Sequence, residues 1–357
     1  MVASITRRPN GKWRARYRDN DGKEHARHFR YKDKGSDPAN SAQAWLDEEL
    51  AALTRDDWID PAKRETTISD WCDTWLAGYE RHRASTAKQG RTHVKRIKAY
   101  FGERPLRAIK PSDVHAWIVS MQAEGLAEST IRSLHIRLSQ ILNEAVHDGI
   151  LTKSPTSRRT APPSGKQRPY VATTEQVWAL YDAMPEGARK GILLGAFAGL
   201  RVAETVVFKP AHIDAEAHVL HPAIQYPAEP LKTEMSRTPI PVPEDLTSML
   251  LDGVEADSEL PLVTGVFGRP IAPYRFEEVF RGVRSSVPGL PEGFRFHDLR
   301  HYFASMLIAG GLDIKTVQHR VRHASASTTL DVYGHLWPDK DESSRAVIAN
   351  AIRTRAD

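Results

Sequence analysis

The sequence predicts a multidomain protein that is mainly α-helical with small β-sheets. Its 357 residues exceed the usual length of one domain. Strict alternation of apolar and polar residues occurs near the start, and apolar residues recur at helical spacing from about 66 to 155. We therefore predict a sheet-plus-helix domain (1–60), a helical bundle (61–155), a basic linker (156–169), a mixed, mainly α-helical domain (170–340) and a tail (341–357).

The first domain is predicted from the segment KWRARYR at 12–18. Its alternation places one set of residues on the packed face of a strand and three arginines on the other, namely Arg14, Arg16 and Arg18. The turn sequence at 19–22 predicts a hairpin with a second strand at 24–29. A helix from about 41 to 53 can cover that sheet.

The second domain is predicted to contain a basic helix from about 85 to 101. Val94, Ile97 and Phe101 form its packing side. Its cations fall largely on the other side: Lys88, Arg91, Lys95, Arg96 and Lys98. Ser112 and Ser129 are predicted to cap two further helices.

Charge distribution points to a polyanionic partner. Residues 1–34 carry eleven Lys and Arg against four Asp and Glu, and residues 81–110 carry ten against the single acid Glu103. Two such blocks are typical of contact with the phosphate backbone of a nucleic acid. Either block alone would be read as an ordinary solvated face.

Composition also favours a soluble protein of a reducing compartment. The single cysteine, Cys72, cannot form an internal disulfide. The best apolar run, at 191–200, is too short to span a bilayer, and the first residues lack the apolar core of a signal peptide. We expect a cytoplasmic protein with no membrane partner.

The third domain contains candidate basic and aromatic residues that have few acidic residues near them in the sequence. Arg201 directly follows an apolar helix, and His297 and Arg300 are three apart on a predicted helix, so they share a face. The remaining candidates are the hairpin residue Lys232, then His323 and, ten residues later, Tyr333.

In order and spacing these six residues resemble the active site of the tyrosine recombinase and phage integrase family. Arg201 and the His297–Arg300 pair match the family's arginines and first histidine, and Tyr333 matches its nucleophile. Lys232 and His323 match the hairpin lysine and second histidine. The match covers 170–337, and the domains before it resemble an arm-binding domain and a core-binding domain.

The chemistry of these residue types agrees with that resemblance. Two guanidiniums can hold the non-bridging oxygens of a pentavalent phosphate, a role for Arg201 and Arg300. The phenol of Tyr333 must lose its proton in a cationic pocket, and His297 is the predicted acceptor. The resemblance gives Lys232 the protonation of the leaving 5′ oxygen and His323 a hydrogen bond to the phosphate.

Two positions depart from the family's pattern. Arg322 precedes the second histidine where glycine is usual, and Ala203 follows the first arginine by two residues where glycine is again usual. Arg322 could clash in a tight turn or add a phosphate contact, and both alternatives stay open here. Lys209 and Arg237 are nearby substitutes for Lys232, which is preferred for its Lys-Thr context.

Two other classes of function are weighed against a recombinase. Histidines four residues apart, such as His297 and His301, could suggest a metal enzyme, but Asp298 and Arg300 do not fit a zinc-peptidase motif. A DNA-binding regulator without catalysis is the main alternative, and the intact set of six argues against it. No metal or other cofactor is expected, and the absence of a phosphate-binding glycine loop agrees with a reaction that needs no ATP.

The resemblance further implies a phosphotyrosyl intermediate and partners on DNA. The expected partners are core-type and arm-type attachment sites, three more copies of the chain in a tetramer, a host DNA-bending protein and an excision factor. The reaction would integrate or excise a phage or mobile element.

Overall fold

A computed structural model describes residues 3–55, 57–163, 170–231, 233–255 and 257–334. The chain forms two compact units, Met1–Lys166 and Gln167–Asp357. Helices predominate and the sheets are small and antiparallel. The predicted fold class is confirmed, whereas the finer domain boundaries remain predictions.

The first unit opens with a three-stranded antiparallel sheet of β1 (Ser4–Arg7), β2 (Trp13–Arg18) and β3 (Glu24–Phe29). The alternation in β2 follows the prediction, since Ala15 and Tyr17 are buried and Arg18 is exposed. Helix α1 (Ala42–Thr54) packs on the sheet, and its N-cap Ser41 accepts a hydrogen bond from the Ala44 amide. The strand β1 was not predicted.

A buried carboxylate ties this sheet to the segment that follows α1. Glu49 accepts hydrogen bonds from the Tyr17 hydroxyl (2.8 Å) and the Trp58 indole (2.9 Å), and Arg64 donates two more, at 2.6 and 2.5 Å. Burial alone would raise the pKa of Glu49, but Arg64 and Tyr17 outweigh it and lower that pKa. The four side chains therefore act as one polar core of the N-terminal module.

The rest of this unit is a helical bundle of α2 (Ile68–Tyr79), α3 (Ala84–Phe101), α4 (Pro111–Ala123) and α5 (Glu128–His147). The two predicted serine caps are wrong. Helix α4 starts at Pro111, whose fixed φ suits a first helical position, and Asp113 accepts from the Lys110 amide. The N-cap position of α5 is Ala127, which makes no side-chain capping hydrogen bond, and not Ser129.

Part of the predicted linker packs against α5. Thr160 is buried and lies 3.0 Å from the ring of His135, and Arg132 donates to the Pro162 carbonyl. Residues 164–169 lie outside the described residues. The described part of this segment is thus held by side-chain hydrogen bonds.

The second unit surrounds the apolar helix α7 (Glu186–Phe197), whose Gly191 and Gly195 lie too close to Phe276 and Phe296 to accept a side chain. The other helices are α6 (Thr174–Ala183), α8 (Val202–Thr205), α9 (Glu244–Leu251), α10 (Pro273–Arg284), α11 (Phe296–Ala309), α12 (Ile314–Arg320) and α13 (Ala326–Tyr333).

Two small sheets complete the second unit. One contains β4 (Ile213–Asp214), β5 (Val219–Leu220) and β8 (Ile240–Pro241), and the other β6 (Ile224–Gln225) and β7 (Glu229–Pro230). Among the helices of the described residues, none combines the length and apolar character needed to cross a membrane. The predicted tail, 341–357, lies outside the described residues.

Candidate active site

The ends of α7, α11 and α13 bring five of the six predicted residues into one region of the second unit. Arg201 caps α8 directly after α7, and its side chain is 39% exposed. Arg300 lies on α11 and is 1% exposed. One guanidinium is therefore accessible at the surface, and the other is buried.

The carbonyl oxygen of Gly199 connects two arginines. Arg300 Nη1 donates to it at 2.5 Å, and Arg322 Nη2 lies 3.4 Å away. Gly199 has φ +62°, and a Cβ there would lie 2.6 Å from the ring of Phe303. Only glycine fits at this position, so the loop after α7 can present its carbonyl to both guanidiniums.

Glu204 is a second acceptor shared by two arginines, and it is 3% exposed. Its Oε1 accepts from Arg201 at 2.9 Å, and its Oε2 accepts from Arg322 at 2.6 Å. Burial would raise the pKa of Glu204, but Arg322 and Arg201 outweigh it and lower that pKa. Arg201, Arg300 and Arg322 thus share two acceptors, the Gly199 carbonyl and the ionised Glu204 carboxylate.

Arg322 resolves the question raised by its place in the sequence. Its φ is +52°, in the left-handed region that glycine occupies without strain. The turn keeps this backbone, so the side chain does not clash. Arg322 is 1% exposed, and Nη1 also donates to the Ser236 carbonyl at 2.9 Å. Its Nη1 and Nη2 donate to Glu204 and to backbone carbonyls, whereas its buried Nε has no hydrogen-bond partner among the described residues.

Ala203 needs no special backbone. It lies within α8, and its carbonyl accepts from the Tyr226 amide at 2.7 Å. Ala203 is not one of the described non-glycine residues that have a positive φ. A methyl group is therefore tolerated where the family usually has glycine.

Tyr333 ends α13 with its hydroxyl buried, at 1% exposure. That hydroxyl lies 2.5 Å from Nδ1 of His301, a residue that the sequence analysis did not assign to catalysis. His301 follows His297 by one helical turn, and their ring centroids are 5.2 Å apart. The i, i+4 spacing was the available signal, but it does not show which histidine faces the tyrosine.

The two predicted histidines are neutral at physiological pH. Burial and the neighbouring His301 and Arg300 lower the pKa of His297 to about 4. Burial and Arg300 lower the pKa of His323 to about 3. The His323 ring is stacked on Tyr333 at 6.3 Å, and its Nδ1 lies 3.0 Å from the Thr329 hydroxyl.

Burial is also the largest influence on the pKa of Tyr333, the proposed nucleophile, and on that of Arg300, the proposed charge stabiliser. It raises the pKa of Tyr333, an effect that Arg300 partly offsets. It lowers the pKa of Arg300 to about 9, aided by Arg201 and Arg322, so this guanidinium remains charged at neutral pH. A charged donor thus lies near a phenol that holds its proton strongly.

Lys232 lies outside the described residues. Its two substitutes in the sequence have acidic partners, since Lys209 lies 2.6 Å from Glu259 and Arg237 lies 3.1 Å from Glu234. These pairings favour neither of them over Lys232. The lysine assignment remains a prediction.

The predicted DNA-binding cations differ in their partners. Glu24 is shared by Arg14, Arg16 and Arg18 at 2.9, 3.1 and 3.9 Å. On α3, carboxylates pair with Arg91, Arg96 and Lys98. Lys88 and Lys95 are exposed, and neither has a carboxylate partner among the described residues.

The histidine pairs do not assemble a metal centre in the described ranges. No group of three or more His, Cys, Asp or Glu side chains there has the placement to hold a metal ion. His301 contacts Tyr333 and approaches Asp298, which accounts for its nitrogens without a metal.

Two family models match the chain. Residues 171–339 match the phage integrase family, and residues 67–122 match the phage integrase N-terminal SAM-like domain. Together the two matches cover more than half of the sequence. The chain belongs to the phage integrase family of tyrosine recombinases, and it is a tyrosine-type site-specific DNA recombinase.

Individual proteins agree with this placement. The ICEBs1 integrase of Bacillus subtilis (strain 168) is 25% identical over 267 residues, which are 70% of this chain and 73% of that protein. Other relatives are named tyrosine recombinases.

Solved structures share the fold. The Tn1549 transposon integrase in complex with a circular intermediate DNA has a TM-score of 0.68 at 17% identity, covering 80% of this chain and 99% of that one. The lambda integrase tetramer bound to a Holliday junction has a TM-score of 0.60 at 20% identity, covering 92% and 97%.

Proposed function

We propose that this recombinase cuts and rejoins DNA through a 3′-phosphotyrosyl link made by Tyr333, and so integrates or excises a phage or mobile element. The observation that carries the proposal is the setting of Arg300. Its Nη2 is buried and has no hydrogen-bond partner among the described residues. A buried unpaired cationic donor is costly unless an anion completes it, and a phosphate diester can do so.

The roles follow from charge and position. The buried Arg300 and the more exposed Arg201 hold the non-bridging oxygens, whose charge grows as the fifth oxygen attaches. Tyr333 supplies that oxygen, and Lys232 protonates the departing 5′ oxygen. His297 and His323, both neutral and beside Arg300, contribute hydrogen bonds to the phosphate.

The phosphotyrosyl link conserves the energy of the broken diester. A 5′ hydroxyl from another strand can therefore attack it and reseal the DNA without a nucleotide cofactor. Joining to the original strand restores the substrate, and joining to a new strand completes one exchange.

The test is covalent capture from a duplex library. Duplexes with randomised sequence around a nick are incubated with the full chain in EDTA and without ATP, because a short fragment beyond the nick diffuses away and traps the adduct. We expect a protein–DNA adduct that resists denaturation, with the DNA attached to the peptide containing Tyr333. Selective binding without any adduct would instead establish the non-catalytic regulator.

We propose that the N-terminal sheet binds arm-type DNA through Arg14, Arg16 and Arg18, and that α3 contacts core-type DNA through Lys88, Arg91, Lys95, Arg96 and Lys98. A strand face with three arginines can lie in a groove. The shared partner Glu24 holds these arginines on one face and neutralises part of their charge.

Arm binding predicts opposite effects of two changes on one face. Replacing Arg14, Arg16 and Arg18 with alanine should weaken duplex binding and flatten its log–log salt dependence by about 0.9 for each phosphate that is no longer neutralised. Glu24→Gln should tighten binding, because three arginines are released. Fluorescence anisotropy with a duplex at several salt concentrations measures both. Equal affinities for all three proteins would contradict this assignment, and adduct formation should survive in each.

The working assembly is proposed to be a tetramer on DNA in the cytoplasm of a bacterial host. Support comes from the structural likeness to a lambda integrase tetramer on a Holliday junction. The tail at 341–357 is proposed to dock on a neighbouring protomer. A host DNA-bending protein and an excision factor are the proposed accessory partners.

A further inference from the structure

The histidine that contacts the attacking oxygen is His301. From this contact we propose that His301 accepts the proton of Tyr333 during cleavage and that Asp298 stabilises the imidazolium formed. The inference rests on the proposed function, which assigns the attack to Tyr333. It gives His301 the acceptor role that the sequence suggested for His297.

The geometry suits direct proton transfer. The Tyr333 oxygen lies 2.5 Å from His301 Nδ1, within hydrogen-bond distance of a neutral ring protonated on Nε2. The two ring centroids are 5.5 Å apart. His297 lies one helical turn earlier, with its ring beside His301.

The nucleophile needs a local acceptor because its hydroxyl is buried. Burial raises the pKa of Tyr333, so the phenolate is scarce at neutral pH. Arg300 favours the phenolate but cannot accept a proton. A neutral imidazole in contact with the hydroxyl removes the need for a preformed phenolate.

Asp298 is positioned to favour the charged ring. Its Oδ1 lies 3.8 Å from His301 Nε2, beyond a hydrogen bond but close enough for electrostatic attraction. Its Oδ2 accepts from the Arg295 amide at 2.6 Å, which fixes the carboxylate at the start of α11. Phenol, imidazole and carboxylate thus form an ordered series, as a catalytic triad does.

The Tyr333 oxygen forms a bond to phosphorus while its proton moves to His301 Nδ1. The bond from phosphorus to the 5′ oxygen breaks, and that oxygen takes a proton from Lys232. During rejoining the proton on His301 returns to the tyrosine oxygen, so the ring is neutral again.

The charged and titratable groups around His301 determine the expected pH dependence. On α11 and at its start they are Arg295, His297, Asp298 and Arg300, and from α13 and the turn before it Tyr333 and His323. Burial and the two arginines lower the pKa of His301, and Asp298 opposes them. His301 is therefore an acceptor at neutral pH, and cleavage should fail as pH falls through this lowered pKa.

Three variants test the role of His301. The substrate is a nicked duplex with which the wild type has formed a covalent adduct in the library experiment. His301→Asn keeps a polar group near Nδ1 but cannot take the proton, so adduct formation should slow roughly 100-fold, the low end for general base catalysis. Its rate should rise with pH as hydroxide substitutes for the ring. His301→Ala should recover activity when imidazole is added. The exposed His319→Asn on α12 is the matched control, with an unchanged profile.

Asp298→Asn separates the electrostatic contribution from packing, because the amide oxygen can still accept from Arg295. Losing the carboxylate should move the acid limb of the profile to lower pH and slow the plateau. An unchanged limb would remove Asp298 from the proposal.

The outcomes distinguish a failure of the recombinase activity from a failure of the role of His301. If the wild type forms no adduct, the proposed function fails. If the wild type forms one and His301→Asn matches its rate and pH profile, only the role of His301 is overturned. If His297→Asn alone loses the acid limb, His297 is the acceptor. DNA affinity, measured for each variant, checks that the protein remains folded.

Discussion

Tyr333→Phe should abolish the covalent adduct completely. The change removes one oxygen atom, and the remaining ring can fill the same buried space beside the Phe303 and Ile308 cluster. DNA affinity should stay within about twofold of the wild type, because contacts of Lys and Arg with phosphates dominate binding. Denaturing gels of the captured duplex measure the adduct, and anisotropy measures affinity.

A matched control is Tyr302→Phe on α11. The Tyr302 hydroxyl lies 2.9 Å from the Thr174 hydroxyl and not against His301. Removing it should therefore leave adduct formation close to the wild-type level. If Tyr333→Phe still becomes attached to DNA, the nucleophile is another residue, and Tyr274, which is 64% exposed, is the next to test.

Local patterns predicted most of the helices. The spacing of Val94, Ile97 and Phe101 placed α3 within one residue at its start, because apolar periodicity reports which face is buried. Helix starts were less predictable where two rules compete. At α4 the proline at 111 and the carboxylate of Asp113 determined the start, not the hydroxyl of Ser112.

Contacts between distant segments could not be predicted in the same way. Strand β1 has Ile5 as its one large apolar residue, so its pairing with β2 leaves little signal in the sequence. His301 contacts Tyr333, which lies 32 positions later in the sequence. Whether His297 or His301 makes this contact depends on how α11 packs against α13. Spacing within α11 could identify both histidines but not rank them.

Arg322 shows why a departure from a family pattern cannot be interpreted from sequence alone. The two readings open at that stage were a clash and a phosphate contact. The ion pair with Glu204 joins residues 118 positions apart, and it corresponds to neither reading. A glycine position has retained its left-handed backbone, and the buried arginine side chain shares acceptors with Arg201 and Arg300.

Arg322→Ala should destabilise the second unit by about 3 kcal/mol, at the low end for breaking a buried ion pair, because Glu204 keeps Arg201 as a partner. Arg322→Gly removes the same guanidinium but relieves the strain at φ +52°, so it should be more stable than the alanine variant by about 1 kcal/mol. Hydrogen exchange of peptides from α7 and α11 in the full chain measures both differences.

In the same two variants, the stability of the second unit should depend less on pH in the acid range than it does in the wild type. Because Arg322 lowers the pKa of Glu204, the pair stabilises the fold above the ordinary carboxylate pKa and is lost as pH falls through the lowered value. Removing Arg322 shrinks that contribution. Arg320→Ala, two residues earlier and without an ion pair among the described residues, should leave protection and its pH dependence unchanged. Equal protection in Arg322→Ala and the wild type would show that the buried pair adds no stability, and an alanine variant as stable as the glycine variant would show that the backbone at 322 is unstrained.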